Sequence, residues 1–203
     1  MAGLLALSRR IDGASRWLGI IANWMVLLAA LVCAVDALLR YSVNGLLYLA
    51  GNLGSASGGV RWIFDIYRNN SNSLRDLQLV LFAGMVMLGA SWTLKVNEHV
   101  RVDLVYTSVS DRARIWMDLI GCLLFLMPFC IVMIYFSWPW FLQSWTGNEL
   151  SQNAGGLPRW PGKLFIPLGF ACLFVQGISE AIKCWAALTS DYHREHSHEK
   201  PVQ

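Results

Sequence analysis

Four long apolar blocks, separated by polar segments, constrain this chain more than any other feature of its sequence. They cover about residues 17–39, 77–94, 115–138 and 164–188. Each is near the roughly 20 residues that an α-helix needs to cross ~30 Å of hydrocarbon, and none alternates as a membrane β-strand does. Charged residues make up only 14% of the chain, whereas soluble proteins carry about 25%. We therefore predict an all-α integral membrane protein with four transmembrane helices, folded as a single membrane domain over residues 1–203.

The distribution of Lys and Arg predicts how these helices are oriented. With the N-terminus in the cytoplasm, the cytoplasmic segments hold ten Lys and Arg and the external segments hold six. Because cytoplasmic loops are enriched in Lys and Arg, we expect both termini inside (N-in/C-in). Residues 41–73 are then an external loop, residues 95–114 a cytoplasmic interfacial segment, and residues 189–203 a polar cytoplasmic tail.

The titratable residues give little support for an enzyme or a cofactor protein. The sequence has no G-x-S-x-G, no H-E-x-x-H and no phosphate-binding glycine loop. All four His lie outside the apolar blocks, where they cannot be axial haem ligands within the helices, and the five Cys show no C-x-x-C spacing. A net charge of +3 without basic clusters also argues against nucleic-acid binding. We predict no catalytic, cofactor or metal site.

A few polar residues inside the apolar blocks are candidates for contacts with other helices. Asn23 lies two turns into the first block, and Gln176, Glu180 and Lys183 follow one another at helical spacing in the fourth. Polar groups within a bilayer are costly and usually face protein or water. We favour a helix–helix interface; an ion or proton relay, and Lys183 reaching the membrane surface together with Glu180, are the alternatives.

The segment 41–73 contains a short amphipathic stretch, residues 60–68, after a Gly/Ser-rich beginning. It predicts a short interfacial helix at the outer surface. Trp62 and Phe64 are its exposed candidates for contact with lipid headgroups or with a partner protein.

From the second apolar block to the fourth, a set of residues follows a recognisable order. Its members are Leu77-Gln78, Leu81-Phe82, Leu88-Gly89-Ala90, His99-Val100-Arg101-Val102-Asp103, Pro128, Ser144-Trp145, Glu149, Ser151, Gly156-Leu157-Pro158, Lys163, Pro167, Gly169 and Gln176. This pattern resembles the small membrane subunit of tripartite ATP-independent periplasmic (TRAP) transporters, the DctQ-like family. It covers roughly residues 77–183. Its most specific parts are His99, Arg101 and Asp103, then Glu149 and Gly156-Leu157-Pro158.

The resemblance implies a role and a set of partners. Such a subunit is a fixed scaffold for a large membrane subunit, which carries the substrate and sodium by an elevator-like movement in the bacterial inner membrane. A periplasmic binding protein delivers an organic acid, and membrane lipids surround the complex. Sodium is expected on the large subunit, so this chain needs no cofactor. The substrate is not readable from this chain, because selectivity belongs to the other two components.

Two other functions remain open on the sequence. The small subunit of a tripartite tricarboxylate-type transporter has a similar architecture, but it is not expected to combine His99–Asp103 with Gly156–Pro158. A non-transport membrane scaffold or electron-transfer subunit is the other, and the absence of His from the apolar blocks disfavours electron transfer.

Overall fold

The computed structural model describes residues 2–53, 58–96, 110–153 and 155–189, and these residues are organised as long helices. In chain order the elements are α1 (Ala2–Leu53), α2 (Gly58–Val96), α3 (Asp111–Ile120), a π-helical segment (Gly121–Leu126), α4 (Met127–Thr146) and α5 (Trp160–Thr189). No strand occurs among these residues. The start of α1 and the end of α5 lie at one end of the bundle, here called the terminal end. The α4–α5 connection lies at the other, the loop end.

Four stretches of helix are long and apolar enough to cross a membrane: Gly3–Leu46, Phe64–Val96, Arg112–Thr146 and Trp160–Thr189. This confirms the prediction of an all-α membrane protein with four spans. The helices extend beyond the apolar blocks, because polar residues at their ends still find partners on neighbouring helices. Residues 97–109 and 190–203, which hold most of the predicted cytoplasmic segment and tail, lie outside the described residues.

A seven-residue repeat of buried residues organises α1. Its members are Ser8, Ser15, Ala22, Ala29, Asp36 and Val43, all nearly inaccessible. A repeat of seven keeps one face of a helix against its neighbours through a left-handed supercoil. Most of these side chains are small, so α1 can approach α2 and α5 closely.

Glycines provide the close approach on the other helices. A Cβ atom at Gly169 in α5 would lie 2.5 Å from the Cβ atom and 2.8 Å from the carbonyl oxygen of Met87 in α2. A Cβ atom at Gly19 in α1 would lie 2.7 Å from the indole of Trp92. These positions therefore have no room for a side chain.

The described part of residues 41–73 is helical, so the prediction of a loop is wrong there, and the external position of the segment stays a prediction. There, α1 continues to Leu53 and α2 begins at Gly58, so the two helices form a long hairpin. Arg40 joins them, because it pairs with Asp36 at 2.6 Å and donates a hydrogen bond to the hydroxyl of Tyr67 at 3.3 Å. The chain has no Pro before Pro128, so nothing in this segment removes a backbone donor. The predicted interfacial helix is the first part of α2.

The third span contains the π-helical segment directly before Pro128. The Met127 N–H bonds to the carbonyl of Cys122, one residue further back than in an α-helix. Pro128 has no N–H and crowds the preceding turn, and a wider turn relieves that crowding. The Cys122 thiol also donates to the Gly177 carbonyl of α5 at 3.2 Å.

Gly169→Ala should destabilise the chain by about 1–3 kcal/mol, because the added methyl group meets the backbone of Met87. Thermal unfolding in detergent, followed by tryptophan fluorescence, measures the effect. Gly13→Ala is the matched control, since a Cβ atom there has nothing within 4 Å. Equal melting temperatures for the two variants would contradict close packing at Gly169.

Candidate functional site

Two clusters of polar side chains, one at each end of the bundle, join different parts of the chain. The buried hydroxyls of Ser91 and Ser137 lie outside both clusters and bond to carbonyls of their own helices. The first cluster, called the terminal-end network, joins α1 to α5. It consists of Ser8, Asp12, Ser15, Gln176, Ser179, Glu180 and Lys183.

The α5 side of this network contains the polar residues that the sequence indicated. Gln176 and Ser179 are fully buried, and Glu180 and Lys183 are nearly so. The Gln176 amide donates to Glu180 Oε1 at 3.3 Å, and Lys183 Nζ lies 2.8 Å from the same oxygen. The structure therefore brings Gln176, Glu180 and Lys183 together on one face.

The α1 side supplies partners that the sequence reasoning missed. The Ser15 hydroxyl donates to Gln176 Oε1 at 2.6 Å. Asp12 accepts hydrogen bonds from Gln176 at 3.0 Å and from Ser179 at 2.9 Å. The Ser8 and Ser179 hydroxyls lie 2.7 Å apart. Ser8, Asp12 and Ser15 precede the first apolar block; the seven-residue repeat that links Ser8 and Ser15 to Ala22 and Ala29 is the signal that would have found this end of α1.

Charge within the terminal-end network is shared between two acids and one base. Lys183 Nζ lies 2.7 Å from Asp12 Oδ2 as well as 2.8 Å from Glu180 Oε1. Each carboxylate also accepts a hydrogen bond from Gln176. Each of these contacts either joins α1 to α5 or links two residues of α5. The network therefore stabilises the packing of α1 against α5.

The second polar cluster, called the loop-end hairpin, is formed by residues 147–153 and 155–159 with their anchors on α2 and α5. Its backbone is closed by bonds from Arg159 N–H to Glu149 O at 2.9 Å and from Ser151 N–H to Leu157 O at 3.1 Å. Leu150 and Pro158 form an isolated antiparallel bridge.

Glu149 is the charged centre of this hairpin. Its carboxylate pairs with Lys163 and lies 3.4 Å from Arg159 Nη1. The pKa of Glu149 falls from 4.5 to about 2, chiefly because Lys163 donates a hydrogen bond to it and also because of the Ser144 hydroxyl. Lys163 Nζ also lies 4.4 Å from the ring centre of Trp140, a contact that favours the cation.

Gly156 and Leu157 dock the hairpin onto α2. The Leu157 N–H donates to Asp76 Oδ2 at 3.0 Å, and the Ser73 hydroxyl donates to the Gly155 carbonyl. A Cβ atom at Gly156 would lie 2.7 Å from Ser151 Oγ and would also meet the Asp76 carboxylate. The motif residues Glu149, Gly156 and Leu157 thus hold this hairpin against the bundle, and Pro158 pairs with Leu150 within it.

The remaining sequence candidates lie apart from both clusters. Asn23 is exposed on α1, Trp62 is 66% exposed on α2, and Phe64 is half-buried. His99, Arg101 and Asp103 lie outside the described residues. Among the residues that the structure does describe, no group of three or more His, Cys, Asp or Glu is placed to hold a metal ion.

Lys183→Met should destabilise the bundle by about 3 kcal/mol, because Asp12 and Glu180 would lose their shared cation while remaining largely buried. Glu180→Gln should be much milder, since Asp12 keeps its pair with Lys183. The melting temperatures of both variants in detergent measure the difference. Similar losses for the two would contradict the central place of Lys183.

The Glu149 contacts should make stability fall in acid. A lowered pKa in the folded state means that the stabilisation is complete above pH 4.5 and is lost as the pH falls toward about 2. Glu149→Gln should therefore lower the melting temperature at pH 7, and its difference from the wild type should shrink progressively below pH 4.5. A difference that is independent of pH would contradict this assignment.

Comparison with protein families gives one match. The family model for the DctQ component of tripartite ATP-independent periplasmic transporters matches residues 56–187, from the start of α2 almost to the end of α5. Neither the curated proteins nor the solved structures gave a match.

Proposed function

The chain belongs to the DctQ component family of the tripartite ATP-independent periplasmic transporters, and we propose that it is the fixed scaffold subunit of a sodium-coupled importer of an organic acid. The family is one of transporter components and not of enzymes. The large membrane subunit carries substrate and sodium, and a periplasmic binding protein delivers the acid. The terminal end faces the cytoplasm of the bacterial inner membrane.

The separation of the two polar clusters carries the scaffold proposal. Between Ser15 and Asp36, the buried residues of the α1 repeat are Ala22 and Ala29. On the facing helices, Gly84, Leu88 and Gly169 fill the same layer. A transport path needs polar or water-filled continuity through the hydrocarbon. The middle of the described bundle is closely packed instead, and the buried Ser91 hydroxyl there bonds to the Leu88 carbonyl of its own helix. This arrangement supports a static role beside a partner that moves.

The purified components in liposomes test the proposal. We expect this chain to form a one-to-one complex with the large membrane subunit of the same transporter. Substrate uptake should need both membrane subunits, the binding protein and a sodium gradient. Sodium-dependent uptake by this chain alone would refute the scaffold role, and failure to form any complex would refute membership of a transporter assembly.

The hairpin of α1 and α2 beyond the loop end supplies a surface for the binding protein. Trp62 and Ile66, one turn apart on α2, are 66% and 45% exposed. They lie further from the hydrocarbon than Ser73, which contacts the loop-end hairpin. An exposed aromatic and aliphatic pair at such a site fits a protein contact.

Trp62→Ala together with Phe64→Ala should weaken binding-protein affinity for the complex about tenfold, because an exposed aromatic anchor is lost. Surface plasmon resonance on complexes in nanodiscs measures the affinity. Leu79→Ala, an equally exposed residue nearer the membrane middle (68%), is the control and should have no effect. Unchanged affinity and uptake in the double variant would show that this part of the α1–α2 hairpin does not contact the binding protein.

A further inference from the structure

The two sides of α1 differ in what they can contact. Its seven-residue repeat faces α2 and α5, whereas Asn23, Ala30 and Ala34 are exposed and lie about 100° around the helix from Ala22. These three residues share a stripe, because seven and eleven residues each correspond to nearly whole turns of an α-helix. On this stripe the amide of Asn23 is followed by the exposed side chain of Leu27 and then by the methyl groups of Ala30 and Ala34.

Neighbouring contacts place Asn23 within the membrane-spanning part of the bundle. Ala22, the preceding residue, lies opposite Gly89 of α2, where an added Cβ atom would be 3.7 Å from its methyl group. Along α2, Gly89 is about 9 Å from Lys95 and about 20 Å from Asp76, at 1.5 Å per residue. Lys95 lies at the terminal end, and Asp76 holds the loop-end hairpin. Asn23 is therefore level with hydrocarbon.

The Asn23 amide has no hydrogen-bond partner among the described residues of this chain. An amide group in hydrocarbon is costly unless another group bonds to it. Lipid chains have neither donors nor acceptors, so lipid alone is a poor neighbour for this position. A polar group on another protein helix can satisfy it.

The exposed side of the third span shows the contrast. Around the middle of that span, Leu124, Phe125, Phe129 and Val132 are all exposed, and all are apolar. Such a face matches lipid chains directly. The α1 face differs by its amide and, beyond Leu27, by the methyl groups of Ala30 and Ala34, where another helix can approach closely.

We propose that the α1 stripe Asn23–Ala30–Ala34 is the surface on which a helix of the large membrane subunit packs, and that this helix provides a hydrogen bond to Asn23. This inference rests on the proposed function and adds to it the place of contact. The large subunit crosses the same bilayer beside this chain, so it can present a helix at the depth of Asn23. The face of α4 is left to lipid.

Photo-crosslinking in the complex tests the contact directly. A benzophenone amino acid is placed at Ala30 or Ala34, with Val132 on α4 as the matched exposed control. We expect crosslinks to the large subunit from the two α1 positions and none from position 132. Crosslinks to the large subunit only from position 132 would overturn the inference, and so would crosslinks from α1 to a second copy of this chain.

Substitutions provide the energetic test in the same complex. Asn23→Leu should weaken association about threefold, the average effect of one interhelical hydrogen bond, and Asn23→Gln should restore it. Ala34→Trp should weaken association at least about tenfold by blocking close approach, while Val132→Trp should have no effect. Unchanged association for Asn23→Leu and Ala34→Trp would overturn the inference. If the wild-type chain forms no complex at all, the proposed function itself is wrong. If the wild-type complex is stable and the α1 substitutions do not weaken it, only the proposed contact surface is wrong.

Discussion

Close packing along α1 is the constraint on which the rest of the structure depends. Helices in a bilayer gain little from the hydrophobic effect when they associate, because lipid chains are as apolar as the side chains they replace. Association must therefore come from surface fit and from hydrogen bonds. The small residues Ala22 and Ala29 of the repeat allow α1 to pack closely against its neighbours. Gly169 allows α5 to pack closely against Met87 of α2. Because this packing needs small side chains, the middle of the bundle has little room for polar groups.

The hydrogen bonds are consequently placed at the two ends. At the terminal end, Lys183 joins Asp12 of α1 to Glu180 of α5, and at the loop end Asp76 holds the backbone of Leu157. A bundle that is closely packed in its middle and tied at both ends resists sliding of one helix past another. That property fits the scaffold role proposed for this chain.

Sequence reasoning located the four spans because apolar length alone determines them. It also found the face shared by Gln176, Glu180 and Lys183, because helical spacing places them together. It missed Asp12, since hydropathy assigns a polar residue before an apolar block to solvent and cannot show that α5 lies beside it. It predicted a loop over residues 41–73 because glycine and serine are typical of loops. It could not show that Arg40 of α1 pairs with Asp36 and donates a hydrogen bond to Tyr67 of α2, which joins the two helices.

The length of α1 would allow one small chain to contact both partners of the proposed function. Its 52 residues extend about 78 Å, more than twice the ~30 Å of hydrocarbon. On α2, which packs beside α1, the residues from Gly58 to Ser73 precede the docking point of the loop-end hairpin by about 22 Å. This part of the α1–α2 hairpin lies where a water-soluble protein can reach it, whereas Asn23, nearer the start of α1, lies level with the hydrocarbon. The same helix thus presents chemically different surfaces at different depths. Under the proposed function the two partners would bind without competing, because the stripe Asn23–Ala30–Ala34 and residues 58–73 of α2 do not overlap.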